Sequence, residues 1–215
     1  MRAKVVFLFV VCLSIVGLTQ NRLAVVRLGY YAPAVTDGGF IIGAQWVQEI
    51  DENLQMGFSV DWFNKTYTDQ RLVNEYNAFD NTPASYGTTN ELRAKTNLNL
   101  FPVQYGVYLN FPLQRDIKIY ATGSLGLDFL IINYRSYTNP SNDETKVAVD
   151  FCWQVGVGVK YPLGRRSDVL AEISYHQSEP SWQYDVMDNA GKKKVFERSY
   201  DLSGFMIRAG VRFYY

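Results

Sequence analysis

Apolar and polar residues alternate with a period of two along most of this chain. Successive side chains of a strand point to opposite faces, so this period predicts β-strands rather than helices. Clusters of Gly, Pro, Asn and Asp separate the alternating runs, as is typical of turns between strands. We predict eight strands, at residues 23–32, 39–50, 54–67, 97–111, 116–135, 146–161, 168–177 and 202–215.

The predicted connections between these strands differ in length in a regular way. Short turns at one rim and long loops at the other are typical of membrane β-barrels, in which an even number of strands brings both chain ends to the short-turn rim. The predicted fold class is therefore all-β, an eight-stranded antiparallel up-and-down transmembrane β-barrel. Short connections are predicted at 51–53, 112–115 and 162–167 and long ones at 68–96, 136–145 and 178–201, with 33–38 as a short exception.

The two faces of the predicted strands differ in charge. One face carries no charged residue, whereas the other is rich in Gly, Ser, Gln and charged side chains. In a membrane barrel the charged face would line the lumen, but a soluble barrel with a ligand cavity would have the two faces exchanged. In the membrane barrel Val157 faces lipid and Gly158 faces the lumen, where a serine should be tolerated. The predicted lumen charges are Arg27, Glu49, Asp61, Lys65, Lys118, Asp128, Asp150, Lys160, Glu172, Arg208 and Arg212.

Aromatic residues on the apolar face favour the membrane alternative. Phe101 and Phe111, like Phe151 and Tyr161, are ten residues apart, which is about 33 Å along a strand and roughly 25 Å across a membrane after tilting. That height matches the lipid-facing band between two aromatic girdles. The predicted girdle residues are Tyr30, Phe40, Trp62, Phe101, Phe111, Phe129, Phe151, Tyr161, Tyr175, Phe205, Phe213 and Tyr215.

The lumen charges are expected to pair with one another. An eight-stranded barrel is only wide enough for side chains to fill it, so its six basic and five acidic residues should form a salt-bridged plug. A narrow ion path is the alternative, since ion pathways also use such charges. Over the whole chain 21 basic and 21 acidic residues balance, which gives no electrostatic reason to expect a nucleic-acid partner.

The first residues of the chain are typical of an export signal. Arg2 and Lys4 precede an apolar run from Val5 to Leu18, which is too short for a membrane helix. We therefore expect secretion across the inner membrane with cleavage of this segment. The predicted organisation is a signal peptide over 1–19, with the cut between 17 and 24, and a barrel over 20–215.

The last strand adds a feature that resembles a known family. The segment from Met206 to Tyr215 alternates apolar residues and ends on an aromatic, like the segment that outer-membrane barrels present to the barrel-assembly machinery. The chain resembles the small outer-membrane β-barrels of the OmpA and OmpX type and the broad outer membrane protein β-barrel family. The resemblance implies a location in the outer membrane of a Gram-negative cell envelope, contact with outer-membrane lipids and with the assembly machinery, and a non-enzymatic structural or surface-interaction role.

Motifs for metal or cofactor binding are not found in the sequence. It contains no HExxH, CxxC, Walker or calcium-loop pattern. Cys152 is the only thiol after the predicted cut, which excludes an intramolecular disulfide and is interpreted as a small apolar residue. We therefore predict no cofactor and no metal site.

One short motif indicates a hydrolase instead. His176-Gln-Ser178 resembles the His-x-Ser element of the lipid A 3-O-deacylases, which are also small outer-membrane barrels. The resemblance implies His176 as the base, Ser178 as the nucleophile, and Glu179, Asp185 or Asp188 as the orienting acid. However, the Asn that follows the Ser in that family is Glu179 here, and strand parity places His176 in the lumen. We predict no catalytic residue and keep this hydrolase as the alternative.

The two longest connections are predicted to hold any binding specificity. The connection at 178–201 carries Trp182 and the run Lys192 to Lys194, and the one at 68–96 carries several aromatics. Exposed aromatics beside cations suit a protein partner or the anionic sugars and phosphates of the outer leaflet. A solvated turn is the alternative for the triple-lysine run.

Overall fold

Strands make up most of the part of the chain that the structure describes. The computed structural model describes residues 22–68, 73, 95–113, 117–135, 143–187 and 193–215. Within these ranges eight strands close into an antiparallel barrel, and two further strands form a separate hairpin. None of these residues belongs to a helix that is long and apolar enough to cross a membrane. The signal peptide predicted over 1–19 lies outside the described residues.

The eight barrel strands confirm the predicted fold class. Each end agrees with its predicted position to within three residues. The ten strands of the described residues are β1 (Arg22–Pro33), β2 (Gly39–Glu49), β3 (Leu54–Thr68), β4 (Lys95–Pro112), β5 (Lys118–Arg135), β6 (Asp143–Pro162), β7 (Ser167–Gln177), β8 (Ser181–Met187), β9 (Lys193–Ser199) and β10 (Gly204–Tyr214). In order around the barrel, the eight strands are β1, β10, β7, β6, β5, β4, β3 and β2.

The barrel closes by pairing its first strand with its last. Val26 in β1 lies opposite Val211 in β10, in a ladder that runs from Leu23 to Pro33. At the short-turn rim, short connections join β2 to β3, β4 to β5 and β6 to β7. In the first of them the backbone N–H of Ile50 donates to the carbonyl of Leu54 at 2.9 Å. Closure pairs the backbone groups of what would otherwise be two exposed sheet edges.

The predicted long loop at 178–201 was wrong in one respect, because much of this segment is β-structure. β8 and β9 pair in antiparallel register from Ser181 opposite Ser199 to Met187 opposite Lys193. The alternation around Trp182 is the sequence signal for this hairpin. Residues 188–192, which include the first of the three lysines, and most of the predicted loop at 68–96 lie outside the described residues.

Apolar side chains cover the outer surface of the barrel. Phe40 is 78% exposed and Tyr215 is 68% exposed, although both are large and apolar in body. Every one of the twelve predicted girdle residues lies on this outer face, either exposed or half-buried. Removing apolar surface from water stabilises a protein by about 25 cal/mol per Å². The outer surface of the barrel would lack this stabilisation in water, so it favours a lipid environment.

The interior is layered along the barrel axis. Near the rim with the long connections it is filled by what we call the apolar mouth cluster. Polar and charged side chains fill the middle, and a smaller apolar group with Leu23, Val47, Tyr108 and Tyr120 lies near the short-turn rim. The apolar mouth cluster consists of Tyr31, Ile41, Phe63, Leu98, Leu100, Leu130, Ile132, Ala148, Tyr200, Leu202 and Met206.

The expectation that serine is tolerated at Gly158 is contradicted by the packing around it. A Cβ on Gly158 would lie 2.4 Å from Cζ of Tyr120 and 2.6 Å from the backbone oxygen of Ala171. The Tyr120 hydroxyl donates to Glu172 at 3.0 Å, and Lys160 lies over the Tyr120 ring at 4.4 Å. Because Gly158 has no side chain, it leaves room for the Tyr120 ring, which Glu172 and Lys160 hold in place.

Gly158→Ala is expected to lower the free energy of unfolding by about 1–3 kcal/mol, because a well-packed interior resists an added methyl group. Gly123→Ala is the matched control, since a Cβ there meets no atom within 4 Å. Urea unfolding of the barrel in phospholipid vesicles measures both changes. Equal stabilities for the two variants would contradict the packing described here.

Candidate functional site: the charged lumen

Two arginines and two acidic residues form an ion-pair centre in the middle of the lumen. Arg27 donates from one nitrogen to both oxygens of Asp61, at 3.0 Å each. Arg208 donates to Asp61 at 3.0 Å and forms a second ion pair with Glu172. A distance of 3.9 Å separates Arg27 from Glu172, which completes a ring of alternating charge.

Glycines on the neighbouring strands make space for these side chains. Gly43 lies opposite both Arg27 and Asp61 in the register, and a Cβ there would lie 1.7 Å from the Asp61 carboxylate. Gly29 lies opposite Arg208, and its Cβ would meet the Arg208 side chain at 2.7 Å. Small residues thus alternate with large ones around the wall. This alternation lets a narrow barrel hold four charged side chains at one level.

A second polar group lies toward the short-turn rim. Arg212 forms an ion pair with Asp168 and donates to Gln55 at 3.2 Å. Lys160 donates to Gln55 at 3.2 Å and to Asn110 at 2.5 Å. Sequence reasoning missed Asp168, which sits at the boundary of a predicted strand, where its facing was not assigned.

The remaining predicted lumen charges lie nearer the two rims. Lys65 donates to the carbonyl of Gly38 at 2.9 Å, at the rim with the long connections. Asp150 is half-buried and accepts from the backbone of Glu179 at 2.8 Å. Glu49 accepts from Gln55 at 3.0 Å, and Lys118 is exposed at the short-turn rim. The structure thus brings Arg27, Asp61, Glu172 and Arg208 together and places these others at the ends of the lumen.

His176 belongs to a third group, which we call the histidine cluster and which comprises Gln104, Asp128, Cys152 and His176. His176 is fully buried, and its Nε2 lies 2.8 Å from Oδ2 of Asp128. Its Nδ1 lies 3.4 Å from the Gln104 amide nitrogen, which also donates to the Cys152 sulfur at 3.3 Å. Both ring nitrogens thus face partners in the lumen wall.

Ser178 is not one of the partners of His176. Its hydroxyl is buried and has no hydrogen-bond partner among the described residues. Glu179 is exposed and accepts from Ser199 at 2.9 Å. The side chain of Asp185 and all of Asp188 lie outside the described part of the structure. The acid that contacts His176 is Asp128, which is 48 residues away in the sequence.

Solved structures from three bacteria share this architecture. A major outer membrane protein of Thermus thermophilus is 13% identical with a TM-score of 0.62, over 91% of this chain and 99% of that one. OprG of Pseudomonas aeruginosa is 9% identical with a TM-score of 0.62, over 92% and 96%. Neisserial surface protein A is 12% identical with a TM-score of 0.56, over 90% and 96%. The fold is that of the small outer-membrane β-barrels.

Sequence comparison adds no relative to these. No protein-family model matches the chain, and no curated protein matches it. At identities of 9–13% the solved structures establish the fold of this chain and leave its activity to be argued from its own residues.

The contacts inside this outer-membrane barrel fold determine what the lumen can do. Arg208 and Tyr31 are among the largest side chains that are fully buried, so the lumen is filled at two different levels. The apolar mouth cluster lies between the rim with the long connections and the charged centre. Such an interior can hold the wall rigidly in one register, and it leaves little room for a substrate beside the ion-pair centre.

Proposed function

We propose that this chain is an integral protein of the bacterial outer membrane with a non-enzymatic, structural or surface-interaction role. The observation that carries the proposal is the inverted distribution of its side chains. Residues such as Phe40 and Val157 lie exposed on the outside, whereas Arg208 and Asp61 are buried inside. A soluble protein gains nothing from this arrangement, but a barrel in lipid requires it. The lipids of the outer membrane are thus its first partners, and β10 is the segment offered to the barrel-assembly machinery.

The hairpin β8–β9 is proposed as the surface-interaction element. Outer-membrane barrels turn their long connections to the cell exterior, so we expect this hairpin to lie outside the cell. Its base is joined to the barrel, because the backbone N–H of Leu202 donates to the carbonyl of Ser178 at 3.0 Å and the Tyr31 hydroxyl donates to the Leu202 carbonyl. Lys146 of the barrel lies 5.9 Å from the ring of Trp182. A base held by these contacts presents the hairpin at the rim of the barrel, and the connection at 68–96 is proposed to share its surface ligand.

The contacts of His176 support the non-enzymatic role. A base that activates a serine needs a free nitrogen within hydrogen-bond reach of the hydroxyl. In this lumen Asp128 and Gln104 occupy the two nitrogens of His176, and the hydroxyl of Ser178 is buried. A lipid substrate on the outer surface would reach neither group.

Two epitope tags test the location and the orientation together. A tag inserted after Asn189, in the segment that connects β8 to β9, is expected to react with antibody on intact cells. The same tag after Gly164, in an exposed short turn, should react only after the outer membrane is permeabilised. Heat-modifiable gel mobility confirms that each tagged barrel is folded. Labelling of the Gly164 tag on intact cells, or recovery of either barrel in the soluble fraction, would overturn the proposal.

The barrel is expected to conduct little in planar lipid bilayers. The apolar mouth cluster and the ion-pair centre fill the lumen at successive levels, so we expect the described residues to leave no continuous water path through these two layers. Single-channel recording with the purified wild-type protein measures this. Long-lived conductance steps in most insertions would contradict the filled lumen and favour the narrow pore instead.

A further inference from the structure

The histidine cluster contains three side chains of the kinds that bind transition metals. Asp128, Cys152 and His176 each contribute one donor atom, and these atoms lie within 4.8 Å of one another. They come from β5, β6 and β7, which are neighbours in the barrel wall, and all three residues are buried. We propose that this cluster binds a single divalent ion of the zinc class inside the lumen.

The charge of the cluster favours a bound cation. Asp128 lies directly opposite Asp150 in the register of β5 and β6, so two carboxylates share this part of the wall. The Oδ1 atom of Asp128 is buried and has no hydrogen-bond partner among the described residues. Within that part of the chain no lysine or arginine forms an ion pair with Asp128, whose carboxylate lies 2.8 Å from the imidazole of His176. A buried carboxylate oxygen without a partner is costly, and a metal ion would supply the missing positive charge.

The donor set selects the type of ion. Sulfur, imidazole nitrogen and carboxylate oxygen together are typical of zinc sites, with bonds of about 2.3, 2.0 and 2.1 Å. Magnesium and calcium prefer oxygen donors alone, which a cysteine and a histidine do not provide. The three donor atoms lie up to 4.8 Å apart, whereas donors around a tetrahedral ion are roughly 3.5 Å apart. The widest pair therefore has to approach by about 1.3 Å, while His176 Nε2 and Asp128 Oδ2, now 2.8 Å apart, have to separate by about 0.7 Å.

Gln104 is placed to supply a fourth donor. Its amide group already contacts both Cys152 and His176, at 3.3 and 3.4 Å, while Ser124 donates to its oxygen at 3.0 Å. Turning this amide over brings its oxygen to the cluster, and the Ser124 hydroxyl can then accept from the amide nitrogen. Gln104 is thus a ligand in the loaded barrel, where it completes a set of four protein donors.

The position of the cluster predicts how the ion enters. The Tyr31 ring, part of the apolar mouth cluster, packs edge-on against His176 with 5.9 Å between ring centres. This packing covers the site from the rim with the long connections. The ion should therefore be taken up during folding and exchange only when the barrel opens, which distinguishes it from an ion held at the surface.

The test uses the chain without its predicted signal, unfolded in urea and refolded into detergent micelles with Co²⁺. Excess Co²⁺ is then removed with EDTA and desalting. We expect about one cobalt per folded barrel by mass spectrometry of the metal, and a sulfur-to-cobalt charge-transfer band in the near ultraviolet. Cys152→Ser should abolish the band, and Gln104→Ala should weaken the apparent affinity by about 10–100-fold.

Glu179→Gln is the matched control, because Glu179 is an exposed carboxylate outside the cluster. Heat-modifiable mobility shows whether each variant is folded, and Cys152→Ala replaces the serine variant if that one does not fold. The proposal is wrong if the chelated wild-type barrel contains no cobalt, or if it contains cobalt without the charge-transfer band. It is equally wrong if Cys152→Ser and His176→Ala retain as much cobalt as the wild type.

Discussion

Arg208→Ala is expected to lower the free energy of unfolding by about 3–5 kcal/mol, which is the usual cost of removing one partner from a buried ion pair. Arg208 is 1% exposed and contacts Asp61 and Glu172 at once, so the substitution leaves two buried carboxylates to the single remaining cation of the centre, Arg27. Urea unfolding in phospholipid vesicles, followed by tryptophan fluorescence, measures the loss.

Arg165→Ala is the control for this experiment. Arg165 lies exposed in the turn between β6 and β7, and surface substitutions of this kind usually change stability by less than about 0.5 kcal/mol. If the two alanine variants unfold at the same urea concentration, the ion-pair centre does not stabilise the barrel. A double variant that removes both Arg208 and Glu172 should recover part of the loss, because fewer buried charges then lack a partner.

Val157→Arg is expected to lower the free energy of unfolding by about 2–4 kcal/mol in a lipid bilayer. Val157 is 59% exposed on the outer face of β6, midway between the two aromatic girdles. An arginine there has to bring its charge into the hydrocarbon layer. The effect depends on lipid, so equilibrium unfolding has to be measured in vesicles.

Val147→Arg provides a control with the same residue change on the same strand and face. Val147 is also exposed, but it lies four residues beyond the girdle residue Phe151, toward the rim with the long connections. At that height an arginine should cost about 0–1 kcal/mol, because it reaches the polar headgroups. If Val147→Arg lowers the free energy of unfolding as much as Val157→Arg or more, the hydrocarbon layer does not lie between the two aromatic girdles.

The fold could be predicted from sequence because a barrel wall imposes a period of two on every strand. Parity groups Val157 and Phe101 on one face, the spacing of the aromatics predicts that this face is the outer one, and both residues lie there. Strand parity predicts Tyr31, Phe63 and Met206 of the apolar mouth cluster to face inward. The rest of the cluster is not predicted, because Leu130 and Ile132 continue an apolar run that begins on the outer face. In such a run the two faces cannot be distinguished by alternation. The hairpin β8–β9 is missed for a different reason, since its strands are only seven residues each and lie inside a segment predicted as one long connection.

The pairing of the lumen charges could not be obtained from the sequence. Parity shows which charges point inward, but the contacts depend on the stagger of strands that close around the barrel. Asp61 and Arg208 are 147 residues apart in the chain and yet share a hydrogen bond. The sequence offers His176 only the acids near it in the chain, such as Glu179, whereas its partner Asp128 lies two strands away.

The burial of Cys152 has a kinetic consequence. It is the free cysteine of the described residues, and its sulfur faces a lumen that is filled above and below it. A thiol reagent can reach it only when a strand detaches or the whole barrel unfolds, so the labelling rate reports the frequency of such openings. Cys152 is thus a native probe of how long the barrel stays folded. Its labelling rate can be measured in intact membranes without denaturant.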